Sequence, residues 1–167
     1  MKDIFDSVLL KAAGIDSSHP LAGVVSNRAN LFELSENAHN AALAPEPPGG
    51  LSHVERAALA CRMARLNHDE VLARHYSMLF EKLRASGDAA KIADPAFSGD
   101  GSPRMDAIIR HTDLVAVHPK DATAEDIDAL KAAGIVEGDI VRLSELIAFV
   151  SYQVRVVAGL RLMAGVA

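Results

Sequence analysis

Residues Ser52 to Tyr76, SHVERAALACRMARLNHDEVLARHY, constrain the fold of this chain more than any other stretch. Ser52 followed by Glu55 is a capping box, in which the serine oxygen accepts from the N3 amide and the glutamate reaches back to the N-cap amide, so a helix begins at Ser52. Leu59, Met63 and Leu66 repeat along one side of it, with Ala58 and Cys61 nearby, and Arg56, Arg62 and Arg65 fall to a polar side. A sharp break is expected at Asn67-His68. Asp69 and Glu70 then occupy the first turn of a second helix, where the macrodipole favours negative charge. Val71, Leu72, His75, Met78, Leu79 and Leu83 form the apolar side of that helix, which is expected to end near Ser86-Gly87. The rest of the chain reads as material that covers this pair.

With 167 residues, a single domain can bury roughly 70% of the surface of its unfolded chain. One domain over 1–167 is therefore expected, with a helical amino-terminal arm at 1–50 and a motif-bearing core at 51–167. Half the residues are apolar, yet there are only five Phe, two Tyr and no Trp, so the core must be built from Ala, Leu, Val, Ile and Met. Ala and Leu favour helices over strands, which makes the expected fold class all-α. The lone cysteine, Cys61, excludes an internal disulfide and makes a reducing cytoplasm the simpler location. The opening MKDIFDSVLLKAAG carries acidic residues where a signal peptide needs an uninterrupted apolar region. Net charge is −5 with no block of Lys or Arg, which argues against nucleic acid or an anionic membrane as partner.

The flanking segments all read as helices. Asp3 to Ala13 has apolar positions at helical spacing and is closed by Gly14. Leu21 to Val25 is a helical turn, and Arg28 to Ala44 carries Leu31, Leu34, Ala38, Ala41 and Ala42 as its apolar stripe. The run PEPPGG at Pro45 to Gly50 breaks the chain. Asp94 to Pro103 is loop, after which Ser102 and Pro103 open a helix reaching Val117 and stopped by His118-Pro119. Thr123 caps Ala124 to Ala133, with Asp126 at N3 and Gly134 as the stop. The last helix, about Glu137 to Ala164, is the longest; Arg155 near its middle argues for a buried helix rather than a membrane span, with some of its apolar surface covered by another copy of the chain.

The stretch LSHVERAALACRMARLNHDEVLARHY resembles the redox-site region of the AhpD-like, or carboxymuconolactone decarboxylase, family of all-helical proteins, and TAEDIDALKAAGIVEGDIVRLSELIAFVSYQVRVVAGLR resembles that family's carboxy-terminal helix pair. The resemblance implies an AhpD-like helical bundle assembled as a homo-oligomer, a dimer, trimer or hexamer. In the family a glutamate-bearing helix leads into C-x-x-C-x-x-x-H. Here the first cysteine position is Asp69 and the second Leu72, the histidine is matched to His75, a histidine between the cysteines falls on Val71, and the relay glutamate falls on Ala57. Thiol peroxidase chemistry needs one thiol to attack peroxide and one to resolve the sulfenate, and neither position holds sulfur. Cys61 is two turns earlier, in Ala-Leu-Met surroundings that suit an inert thiol.

The decarboxylase branch of that family works without the cysteine pair, so the resemblance leaves open a lactone- or decarboxylase-type enzyme acting on a small molecule. His75 is then the general acid or base, with Asp69 as its companion. His68, Tyr76, Tyr152 and Arg155 are the candidate binding residues. The plainer readings are a core histidine at 75, helix-start carboxylates at 69 and 70, and an Arg155 that pairs with a carboxylate across the bundle. No cofactor is implied. No metal site is expected either: His68 and His75, like His111 and His118, are seven apart, and two helical turns separate ligands by roughly 10 Å. The alternative to an enzyme is a binding or partner subunit of a cysteine-bearing relative.

Overall fold

The computed structural model describes residues 3–83 and 87–165. Among these residues the fold is all-α: α1 (Val8–Ala13), α2 (Ala22–Ser26), α3 (Ala29–Leu43), α4 (His53–Leu66), α5 (Glu70–Lys82), α6 (Gly87–Ile92), α7 (Pro103–Val117), α8 (Ala124–Ala132) and α9 (Glu137–Ala164). No strand occurs among them.

α4 lies at the centre. α5 packs along it after the break, and α3, α6, α7 and α9 also contact it, so every residue from Arg56 to Ala64 is buried. The capping box at its start is formed: Glu55 N donates to Ser52 Oγ, and Ser52 N donates to Glu55 Oε2. The polar side expected for Arg56 and Arg62 is buried rather than solvated, because α4 is packed against helices around it. Instead Arg56 donates to the carbonyls of Leu51, Ala42 and Pro48, which ties the PEPPGG loop to α4. Arg62 forms a bidentate pair with Asp113 on α7 and also donates to carbonyls of the 92–95 turn. Planar guanidinium groups with five donors suit such multiple capture of buried carbonyls.

α9 contacts α1, α3, α4, α7 and α8 and closes the bundle. It is long and apolar enough to cross a membrane by length and composition, with 39% of its most apolar window buried inside this protein. The loop before α4 is held against the start of α9, where Gly50 N donates to Asp139 Oδ1 at 2.9 Å. A Cβ on Gly50 would run into the Asp139 carboxylate, so a larger residue there would displace that side chain from its contact with the loop.

The expected ends of α7, α8 and α9 agree with the structure to within a residue. At the amino terminus Ser7 interrupts the expected Asp3–Ala13 helix, capping α1 after a 3-10 turn over Ile4–Asp6. α6 falls where only a stop was expected, and the expected end of α5 near Ser86 involves residues 84–86, which lie outside the described residues. The largest correction concerns α3. Its buried stripe is Phe32, Ser35, His39 and Leu43, while Leu31 and Leu34 of the expected stripe are 52% and 62% exposed.

Candidate functional site

The α4–α5 junction is a Schellman turn. The amide of Asp69 donates to Ala64 O and that of His68 to Arg65 O, both at 2.9 Å, which places His68 at C′ with φ 58. Left-handed backbone is normally left to glycine, and histidine is one of the few residues that visits it. The exposed His68 therefore makes the turn. Asp69 follows as N-cap of α5, accepting from Leu72 N at 3.0 Å. Both of its oxygens also receive the guanidinium of Arg161 at 3.0 Å, and Arg161 donates further to Ala12 O. One buried carboxylate thus joins the start of α5, the end of α1 and the last turns of α9. With both oxygens engaged in this way, Asp69 is occupied as a cap and as half of an ion pair.

His75 has a different partner, one the sequence reading did not name. Its Nε2 lies 3.0 Å from Nε2 of His39 on α3. Two facing ring nitrogens at this distance share a single proton. Nδ1 of His39 faces Asn40 Oδ1 at 3.4 Å, an acceptor, so that nitrogen carries hydrogen and His39 Nε2 is the acceptor of the pair. His75 then donates through Nε2 and keeps its lone pair on Nδ1, which has no protein hydrogen bond among the described residues. Burial lowers the basicity of both rings. The His75 pKa falls to about 4, chiefly by desolvation, with the neighbouring His39 and the lysines at 82 and 11 adding to the effect. Desolvation also lowers His39, against the opposing pull of Glu36. The pair is neutral at pH 7.

His75 lines a cleft of about 260 Å³ whose other walls include Asp6, Lys11, Glu36 and Val71. Lys11 and Asp6 pair across 2.8 Å, and Glu36 Oε2 accepts from Val8 N at 3.1 Å, which fixes α3 against the start of α1. The cleft thus has charged and apolar walls, and His75 is the member of the histidine pair that lines it.

Strict C-x-x-C-x-x-x-H spacing from Asp69 and Leu72 ends on Tyr76, so His75 is one residue short of the register to which it was matched. One residue is about 100° around a helix, yet the two rings stay in edge-on contact, with centroids 5.2 Å apart. Tyr76 is fully buried, donates to Gln153 Oε1 on α9, and stacks on His39 with ring planes 9° apart. Burial drives its phenol pKa upward and keeps it protonated. Tyr152 is part-exposed and shares a 2.8 Å hydrogen bond with Ser35 Oγ on α3. Arg155 is exposed and donates to Ser151 O one turn back. The structure thus brings His75 and Tyr76 together around His39, and places Asp69, His68 and Arg155 apart from that cluster. The carboxylate-binding role expected of Arg155 is performed by Arg161.

Leu72 is buried and Ala57 is fully apolar, so neither position offers chemistry. Cys61 is buried, its thiol donates to Ala73 O at 3.3 Å, and desolvation raises its pKa. Among the described residues no three His, Cys, Asp or Glu side chains are gathered to hold a metal ion.

The fold and site define a class: an all-α protein with a neutral, hydrogen-bonded histidine pair at the edge of a polar cleft. Comparison with protein-family models, with curated proteins and with solved structures gave no match for this chain.

Proposed function

We propose that this protein is an AhpD-like helical bundle of the carboxymuconolactone decarboxylase kind that acts by acid–base chemistry on a small lactone or carboxylic acid, without thiol peroxidase activity. The observation that carries the reading is the His39–His75 contact beside the cleft lined by Lys11 and Glu36. The bound carboxylate leaves as carbon dioxide, the electron pair of the broken carbon–carbon bond stays on the carbon, and that carbon takes up a proton relayed from water through His75 Nδ1, with Nε2–H donation to His39 spreading the transient positive charge over two rings. The buried, high-pKa Cys61 supports the exclusion of peroxidase chemistry, since the reactive form of a cysteine is the thiolate.

The test is product formation from a panel of carboxylated lactones and β-keto acids, followed as released carbon dioxide. His75→Ala is expected to lower kcat roughly 10²–10⁴-fold, the usual contribution of a positioned acid or base, with the thermal transition retained. An unchanged rate removes His75 from the mechanism. Peroxide consumption with a thiol reductant is expected to be absent, and turnover that disappears in Cys61→Ser would overturn that part of the reading.

A second reading is a binding or partner subunit, either of itself or of a cysteine-bearing relative. It is favoured by the solvent-facing Leu31 and Leu34 of α3. A monomer gains nothing by exposing aliphatic residues at consecutive turns of one helix, whereas an assembly would bury them.

A further inference from the structure

The His39 ring that bonds His75 also lines a second cavity of about 260 Å³, which shares no lining residue with the His75 cleft. Its walls are apolar, formed by Leu43 and Ala44 at the end of α3, Ala57 on α4, and Leu79 and Leu83 at the end of α5. Small side chains at 44 and 57 leave the space open. The ionisable residues around it are His39, His53 and Lys82, and none is acidic. Two of these are committed: His53 Nε2 to Pro45 O at 3.0 Å, and His39 Nε2 to His75. The exposed Lys82 ammonium is not, since no carboxylate among the described residues pairs with it.

A chain of net charge −5 that keeps its acidic residues away from one apolar groove and leaves a cation at the rim is matched to a ligand of opposite polarity. We propose that this groove binds a small amphipathic carboxylate, with its hydrocarbon body against Leu43, Leu79 and Leu83 and its carboxylate on Lys82. The volume lies below the range typical of drug-sized ligands, which restricts the body to a short chain or a single ring. Neither of the other two polarities fits as well. A neutral amphiphile leaves Lys82 without a counter-charge, and a cationic one is repelled. This site is separate from proton transfer at His75 and stands without it.

The experiment is calorimetric titration of the full chain with octanoate, 1-octanol and octylammonium. Octanoate is expected to bind saturably and roughly fivefold more tightly than octanol, the factor an exposed ion pair supplies, with octylammonium weakest. Lys82→Glu is expected to invert the order of octanoate and octylammonium. Ala44→Trp, at an exposed position just past α3, is expected to abolish saturable binding of all three with the thermal transition retained. Absence of saturable octanoate binding, equal affinity for octanoate and octanol, or unaltered binding in Ala44→Trp would each overturn the proposal. Because no turnover is read, these results are independent of whether His75 is a catalytic residue.

Discussion

At the scale of single residues, two histidines are placed by chemistry that a sequence does not display. His75 was visible as a histidine on the apolar side of α5. His39 was not, because its stripe on α3 mixes Phe32 and Leu43 with polar Ser35, while the rival stripe is wholly aliphatic. The polar members are buried because each meets a partner, Ser35 at Tyr152 and His39 at His75. This pairing makes stability depend on pH with a definite sign. The folded His75 pKa is about 4 against an ordinary 6.5, so below 6.5 the unfolded chain binds the extra proton and folding weakens as pH falls toward 4. The loss over that window is expected to be on the order of 3 kcal/mol, read as a falling urea midpoint, and His75→Gln should flatten that part of the profile. His68 offers a second residue-scale test. Its left-handed backbone costs a non-glycine residue about 1–2 kcal/mol, partly offset by the extra freedom glycine gives the unfolded chain. His68→Gly is therefore expected to raise stability by up to about 1 kcal/mol, and His68→Val to lower it.

At the scale of elements, starts and stops were the legible part. Ser52 with Glu55, Ser102 with Pro103, and Thr123 with Asp126 all cap helices, because capping is a local interaction between residues a few positions apart. Which face of a helix is buried is a non-local matter, and there the reading of α3 and of the α4 arginines went astray. Arg56 and Arg62 look like solvent residues until loop carbonyls 8 and 32 positions away, at Pro48 and Asp94, are folded against them. Asp69 shows both behaviours. Its place at the start of α5 was readable, although Asn67 or His68 was expected to open the helix that Asp69 itself caps, whereas its pairing with Arg161, 92 positions away, was not readable. Removing one partner of such a pair leaves a buried charge, so Asp69→Ala is expected to cost about 3–5 kcal/mol, plus roughly 1 kcal/mol for the cap. Asp69→Asn should keep most of the cap and lose most of the pair. Urea unfolding of the two variants beside Arg161→Met separates the contributions, and equal, small losses in all three would contradict the assignment.

At the scale of the whole molecule, the all-α class followed from composition, and the capped helix and its successor were expected to be covered by the rest of the chain, as α4 is by α3, α5, α6, α7 and α9. Association was expected from the long α9, which exposes Val141, Leu162 and Met163, and a second exposed apolar face is formed by Leu31 and Leu34 on α3. If that face is the contact between copies, Leu34→Glu is expected to shift the mass in light scattering to that of a monomer of 17.7 kDa with the helical spectrum unchanged. A wild-type chain that is already monomeric would remove the assembly reading. The central claim, however, is that His39 and His75 form one neutral proton-sharing unit, and it can be tested without knowing a substrate. Nitrogen-15 spectra of the histidine side chains, recorded as the pH is lowered, report tautomer and protonation ring by ring. His75 is expected to be the Nε2–H tautomer and His39 the Nδ1–H tautomer at neutral pH, with His75 gaining its proton only near pH 4. Independent titration of both rings close to 6.5 would contradict it.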